Sequence, residues 1–278
     1  MRHQLRLYAA LFLIYAGLAA LSANAANVRL TVFDCGSIQM SDVRQFSLTN
    51  EETTVRELFV PCYLVEHPQG RLVWDAGLPL EFVGRDTTES QPGMSFSYAV
   101  SFLDQLVELN LTPADIDLVA FSHMHFDHVG AANQFRSAKL LIQDTEYQAA
   151  FVDKDNEYYQ PDLYEGLNDG EKLVLSGDHD VFADGSVVII SAPGHTAGHQ
   201  VLLVRLNNFG PLILSGDLYH FRKSRELRRA PVFNTDAEQT FVSMEKVEAL
   251  IKSEGATFWI EHDKALADTL ELAPAFYD

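Results

Sequence analysis

Ser122-His123-Met124-His125-Phe126-Asp127-His128 decides the reading of this chain. Four metal-ligating side chains within six positions suit neither a hydrophobic core nor an ordinary solvated loop. Three further patches complete the set: Pro193-Gly194-His195, Ser215-Gly216-Asp217 and Glu261-His262-Asp263. Each follows a short apolar run, namely Leu118–Phe121, Val187–Ile190, Leu212–Leu214 and Phe258–Ile260. Such runs read as buried strands ending in polar loops, so the ligands gather at one edge of a sheet. A tight turn with this spacing divides its side chains between two ions. His123 and His125 face one, completed by His195, while Asp127 and His128 face the other, completed by His262. The Asp217 carboxylate bridges both.

Imidazole and carboxylate without thiolate suit two Zn²⁺ ions per chain, with Fe or Mn as alternative occupants. Two bridged cations bind a water and bring its pKa near neutrality, so hydroxide is at hand without a separate base. The reaction class is hydrolysis. His199 reads as a residue that structures the loop around the ligands, and His67 and His179 read as turn residues.

The rest of the chain supplies a frame for that edge. Strands are expected over Val28–Asp34, Phe59–Glu66 and Arg71–Asp75, and helical spacing joins Ala99, Phe102, Leu103, Leu106 and Val107. A helix start is expected at Thr112-Pro113, and a second helix carries Phe241, Met244, Val247 and Leu250, with Asp236 as its N-cap and Gly255 past its end. Strands in runs with helices between and after them predict an αββα sandwich, two mixed β-sheets face to face with helices outside. Residues 81–97 carry Phe82, Met94 and Phe96 in a polar stretch, which suggests an apolar pocket wall. The basic run Arg222–Arg229 reads as a solvated loop paired to nearby carboxylates. Cys35 and Cys62 form no CxxC or Cys-His pair and are expected to be buried thiols rather than a bridge.

Residues 1–25 carry the marks of a secretory signal: basic Arg2 and Arg6, an apolar stretch from Leu7 to Leu21 and the small-residue site Ala23-Asn24-Ala25. That stretch is too short for the ~20 residues of a spanning helix. Residues 26–278 then form one exported hydrolase domain, periplasmic or secreted. Losing Arg2 and Arg6 but no acidic residue takes the net charge from −19 to −21. Such a body repels nucleic acid and anionic membranes.

The HxHxDH box, with His195, Asp217 and His262 in this order, resembles the metallo-β-lactamase superfamily. Val60-Pro61-Cys62-Tyr63-Leu64, Trp74-Asp75-Ala76-Gly77-Leu78-Pro79, the run from Pro193 to Gln200 and Gly216-Asp217-Leu218-Tyr219-His220 resemble the exported quorum-quenching N-acyl homoserine lactonases. The resemblance implies a small-molecule acyl homoserine lactone substrate, with Asp127 passing a proton to the leaving alkoxide. Many such lactonases carry a carbonyl-orienting tyrosine three residues after the bridging aspartate. Here that position is His220, with Tyr219 one place earlier; alignment favours His220. Other exported di-metal hydrolases, an arylesterase, an organophosphate hydrolase or a glyoxalase-II-like thioesterase, share the ligand set. A zinc-scavenging protein would instead fill every coordination position.

Overall fold

A computed structural model describes residues 27–85, 88–91, 93–153 and 158–278. The signal-like segment 1–25 therefore lies outside the described residues. Among the described residues, thirteen strands form two sheets. The first contains β1 (Arg29–Met40), β2 (Glu57–His67), β3 (Gly70–Ala76), β4 (Thr88–Gln91), β5 (Met94–Ser97), β6 (Leu118–Ala120), β7 (Lys139–Gln143) and β8 (Lys172–Leu175). Its order is β4-β5-β1-β2-β3-β6-β7-β8. The meander from β1 to β3 is antiparallel, and β3, β6, β7 and β8 run parallel. The second contains β9 (His179–Asp180), β10 (Val187–Ser191), β11 (Gln200–Leu206), β12 (Gly210–Leu214) and β13 (Thr257–Trp259), in the order β13-β12-β11-β10-β9.

Helices cover the sheets: α1 (Phe102–Glu108), α2 (Phe126–Val129), α3 (Asp144–Tyr147), α4 (Arg222–Leu227), α5 (Ala237–Glu254) and α6 (Lys264–Ala267). Alternation along the strands sends one set of side chains between the sheets, where Val32, Trp74, Ala120 and Leu141 meet Ile189, Leu202, Leu214 and Trp259. The opposite face of the first sheet packs Phe33, Leu64, Val73 and Val119 against Phe102 of α1. The outer face of the second packs Val201, Leu203 and Ile213 against Met244 and Val247 of α5. This is the predicted αββα order. The Asp236 side chain caps α5 by accepting from the Gln239 amide, and Gly255 ends it in the left-handed region. Thr112 and Asp115 form a capping box, but on a single 3₁₀ turn, Pro113–Asp115.

Several expectations are corrected. Cys35 and Cys62 form a disulfide with Cα atoms 5.8 Å apart. The antiparallel register sets Phe33 opposite Cys62 and breaks into a bulge after Asp34, which carries Cys35 across to its partner. Of the expected pocket wall, Met94 lines a cavity of about 770 Å³, whereas Phe82 and Phe96 are buried and pack together at 4.9 Å between ring centroids. The basic run is not a loop but forms α4 and its C-terminal cap. It is paired as expected, Arg222 to Asp263, Lys223 to Glu226, Arg225 to Glu248, Arg228 to Glu245 and Arg229 to Glu52. His179 lies in β9 rather than in a turn. His67 ends β2, stacks on Phe182 and pairs with Asp184.

Candidate metal centre

β6, β10, β12 and β13 end on the same edge of the sandwich, and the loops that follow them carry the seven candidate ligands into one cluster. His123, His125, His195 and Asp217 form one group and Asp127, His128 and His262 another. In the first, His123 Nε2 lies 2.9 Å from His125 Nδ1, and His195 Nε2 lies 3.2 Å from each. Nitrogens around a tetrahedral Zn²⁺ at about 2.0–2.1 Å stand roughly 3.3 Å apart. Three imidazoles thus occupy the corners such an ion needs. The Asp217 carboxylate spans both groups: Oδ2 is 3.1 Å from His195 Nε2, and Oδ1 is 2.9 Å from His262 Nε2 and 3.3 Å from His128 Nε2. Asp127 Oδ2 stands farther out, 3.9 Å from His128 Nε2 and 3.8 Å from His262 Nε2.

His128 Nε2, His262 Nε2 and Asp217 Oδ1 are buried, and none meets hydrogen-bond geometry with any partner among the described residues. Buried polar atoms without partners are costly. These three converge on one another, which fits a cation at their common focus.

The opposite nitrogens are anchored. His128 Nδ1 lies 2.8 Å from Asp75 Oδ2, His195 Nδ1 2.9 Å from Asn234 Oδ1 and His262 Nδ1 2.6 Å from the Phe59 carbonyl. Ser122 Oγ reaches both His123 Nδ1 and His128 Nδ1 at 3.1 Å, and donates to Asp75. Such supports fix tautomer and ring plane. His199 acts as expected: its Nε2 accepts from the Asp217 amide at 2.9 Å while Nδ1 reaches the Ala192 carbonyl at 3.0 Å. That pair of bonds needs the neutral ring, and burial pushes its pKa down to about 3.

Electrostatics follow burial first. It holds His123 and His125 well below the ordinary histidine range, and neighbouring imidazoles reinforce it. Burial opposes the charge on Asp217, yet His220, His262 and His128 together hold its carboxyl well below the usual range. The two residues after Leu218 diverge. Tyr219 packs into the core beneath α5 and its hydroxyl reaches Glu248 at 3.3 Å. His220 turns the other way: Nε2 lies 2.9 Å from Asp217 Oδ2, and its ring stacks on His262. A cavity of about 390 Å³ opens beside it, lined by Thr53, Thr54, Val55, His220, Phe221 and His262. A larger cavity of about 740 Å³ between α4 and α5 contains none of the seven ligand candidates.

Sequence reasoning missed Asp75, Ser122, Glu146, Asn234 and Glu261. Asp75 had a signal, since it is the next-to-last residue of β3 in Trp74-Asp75-Ala76-Gly77, and it adopts a φ of 55° that few residues other than Asp, Asn and Gly accept. The Glu261 carboxylate accepts from the Gly216 amide at 2.8 Å and Trp74 Nε1 at 3.3 Å.

The sequence profile of the metallo-β-lactamase superfamily matches residues 55–252. The N-acyl homoserine lactonase AttM of Rhizobium radiobacter is 30% identical over 270 residues, covering 90% of this chain and 99% of the relative. An N-acyl homoserine lactonase of a Bacillus species is 27% identical over 226 residues, covering 78% of this chain and 87% of the relative. A solved N-acyl homoserine lactone hydrolase, with N-hexanoyl-L-homoserine bound at its catalytic metal centre, superposes with a TM-score of 0.77 at 24% identity, covering 89% of this chain and 98% of its own. The dizinc quorum-quenching lactonase AidC superposes at 0.65 with 15% identity, covering 91% and 95%.

Proposed function

The chain belongs to the metallo-β-lactamase superfamily and is a metal-dependent hydrolase; from that premise we propose that it opens the lactone ring of N-acyl homoserine lactones. Two Zn²⁺ ions would be held by His123, His125 and His195 and by Asp127, His128 and His262, with Asp217 shared. When bound, such cations supply Lewis acidity and an ionised water at neutral pH. The observation that carries the reading is the set of buried atoms on His128, His262 and Asp217 that converge on one focus without hydrogen-bond geometry to any partner among the described residues. A relative matched over 99% of its length that is an N-acyl homoserine lactonase supports this substrate class.

The chain's own groups supply orientation and proton transfer. In the overall reaction hydroxyl adds to the ring carbonyl carbon, the ring C–O bond breaks, and the departing oxygen takes a proton. Asp127, at the rim of the cluster, would take the proton that the attacking water gives up and pass it to that oxygen. His220 would orient the carbonyl: burial holds its pKa below the ordinary value, and the one N–H of the neutral ring, 2.9 Å from Asp217 Oδ2, would turn to the substrate where a cation takes that oxygen. The Tyr219 hydroxyl, 3.3 Å from Glu248 on the other side of the chain, supports giving that part to His220. The Cys35–Cys62 bridge supports export to an oxidising compartment after removal of residues 1–25, because such bonds persist there.

Elemental analysis after chelator-free purification should find about two ions per chain, and mass spectrometry should show addition of one water to the lactone, with ring closure on acidification. Release of a free fatty acid would mean amide cleavage and would end the lactonase reading. A single ion with full activity would end the dinuclear one.

A further inference from the structure

We infer that Glu146 is the positioning residue of one ion site only, the three-histidine site, because its carboxylate ties together the two loops that carry His123, His125 and His195. The inference rests on the dinuclear reading above. Glu146 lies in α3 with 2% of its surface exposed. Its Oε1 accepts from the Met124 amide at 2.9 Å, between the two histidines of that loop. Its Oε2 accepts from the Gly198 amide at 2.8 Å, three residues after His195. The Tyr159 hydroxyl donates to Oε1 at 3.2 Å. The neighbouring Thr145 hydroxyl adds a stitch to the Ala197 carbonyl at 2.8 Å.

The contact is close enough to require glycine. A Cβ at Gly198 would stand 2.5 Å from both the amide nitrogen and the Cβ of Glu146, so the loop of His195 rests directly on α3. The other ion site hangs on different supports: Asp75 behind His128, the Phe59 carbonyl behind His262 and Glu261 beneath Gly216. Among the described residues, none of those supports hydrogen-bonds to Glu146. The two sites share Asp217 at the centre and the Ser122 hydroxyl behind His123 and His128, but the tie through Glu146 joins only the Met124 and Gly198 amides beside the three histidines.

Glu146→Gln tests this. A carboxamide keeps one oxygen, so it can accept from one loop amide while its NH₂ group faces the other, and the two loops lose their common tie. The full chain carrying His262→Ala keeps the three-histidine site, and the chain carrying His195→Ala keeps the other. Zn²⁺ affinity is read in each background by competition with a chromophoric chelator. Adding Glu146→Gln should weaken Zn²⁺ binding roughly 10–100-fold in the His262→Ala background, the usual effect of losing an outer support. It should leave the His195→Ala background unchanged, since the two changes then act on separate ions. Tyr159→Phe removes one donor without stranding a charge, so it keeps the fold and should shift affinity in the same direction by less. Equal weakening in both backgrounds, or none in the first, overturns the inference. Uptake of fewer than two Zn²⁺ by the unmodified chain overturns the dinuclear reading itself, and this inference with it.

Discussion

Gly130→Ala isolates how tightly the ligand loop is docked. Gly130 follows α2, which carries Asp127 and His128, and its amide donates to the Gly77 carbonyl at 2.8 Å while Ala131 donates to Ala76 at 3.1 Å. Its φ of −57° is one any residue adopts, so alanine there brings no backbone strain of its own. It brings a collision: a Cβ would sit 2.1 Å from the Leu78 carbonyl carbon and 2.3 Å from the Pro79 nitrogen. Ordinary contact begins at 3.4 Å, so 3.4 less 2.1 leaves 1.3 Å by which α2 and the segment after β3 must separate. Those atoms are backbone, tied to Cys35 through the Leu78 amide, and cannot rotate aside. Overpacking of this kind costs about 1–3 kcal/mol of stability. Asp127 and His128 move with the helix, and a misplacement of ~1 Å costs on the order of 10²-fold in turnover. The assay pairs thermal melting with kcat/KM for an acyl homoserine lactone under saturating Zn²⁺. Gly84→Ala is the comparator, since nothing lies within 4 Å of that position and only its φ of +69° resists a side chain. Wild-type melting and turnover in Gly130→Ala would refute the reasoning.

Three further expectations follow from the same geometry. His220→Phe should lower turnover by ~10²–10³, the usual cost of one donor at a developing oxyanion, while Tyr219→Phe should cost only about 1 kcal/mol of stability; the reverse pattern in kcat and melting would reassign the carbonyl-orienting part. Replacing both Cys35 and Cys62 by alanine opens a link between residues 27 apart in sequence, which by chain entropy should cost about 3–4 kcal/mol in chemical denaturation; an unchanged midpoint would count against the bridge. In the metal-free protein, burial, with the Asp75 charge beside it, pushes the Glu261 carboxyl up to about 8 from an ordinary 4.5. The folded state then keeps a proton that the unfolded chain releases, so Glu261 subtracts stability progressively as pH rises from about 4.5 to about 8. Glu261→Gln should therefore gain on the parent protein across that window, and parallel stability curves would contradict the assignment.

The clustering of the candidate ligands was legible in the sequence because metal chemistry needs a few residue types, and the fold places them directly after strands whose apolar runs announce themselves. His123, His125, Asp127, His128, His195, Asp217 and His262 all stand in the segments that follow such runs, Asp127 and His128 in α2, and the structure brings all seven together. The αββα layering followed for a related reason: side-chain periodicity reports which face of each element must be covered. The bridge between Cys35 and Cys62 was not legible, because it depends on the register of β1 against β2 and on a bulge after Asp34. Nor was burial of Phe82 and Phe96, whose polar neighbours in sequence are not their neighbours in space. Glu146 and Glu261 look like any acidic residues along the chain. Only the packed loops turn them inward, and there the backbone amides of Met124, Gly198 and Gly216 hold their carboxylates. The direction of the chain after Asp217 likewise sends Tyr219 toward Glu248 and His220 toward the cluster. Residue type set what chemistry the chain can do. Tertiary packing decided which polar groups brace it, since hydrogen-bond partners dozens of residues apart are chosen by distance in space.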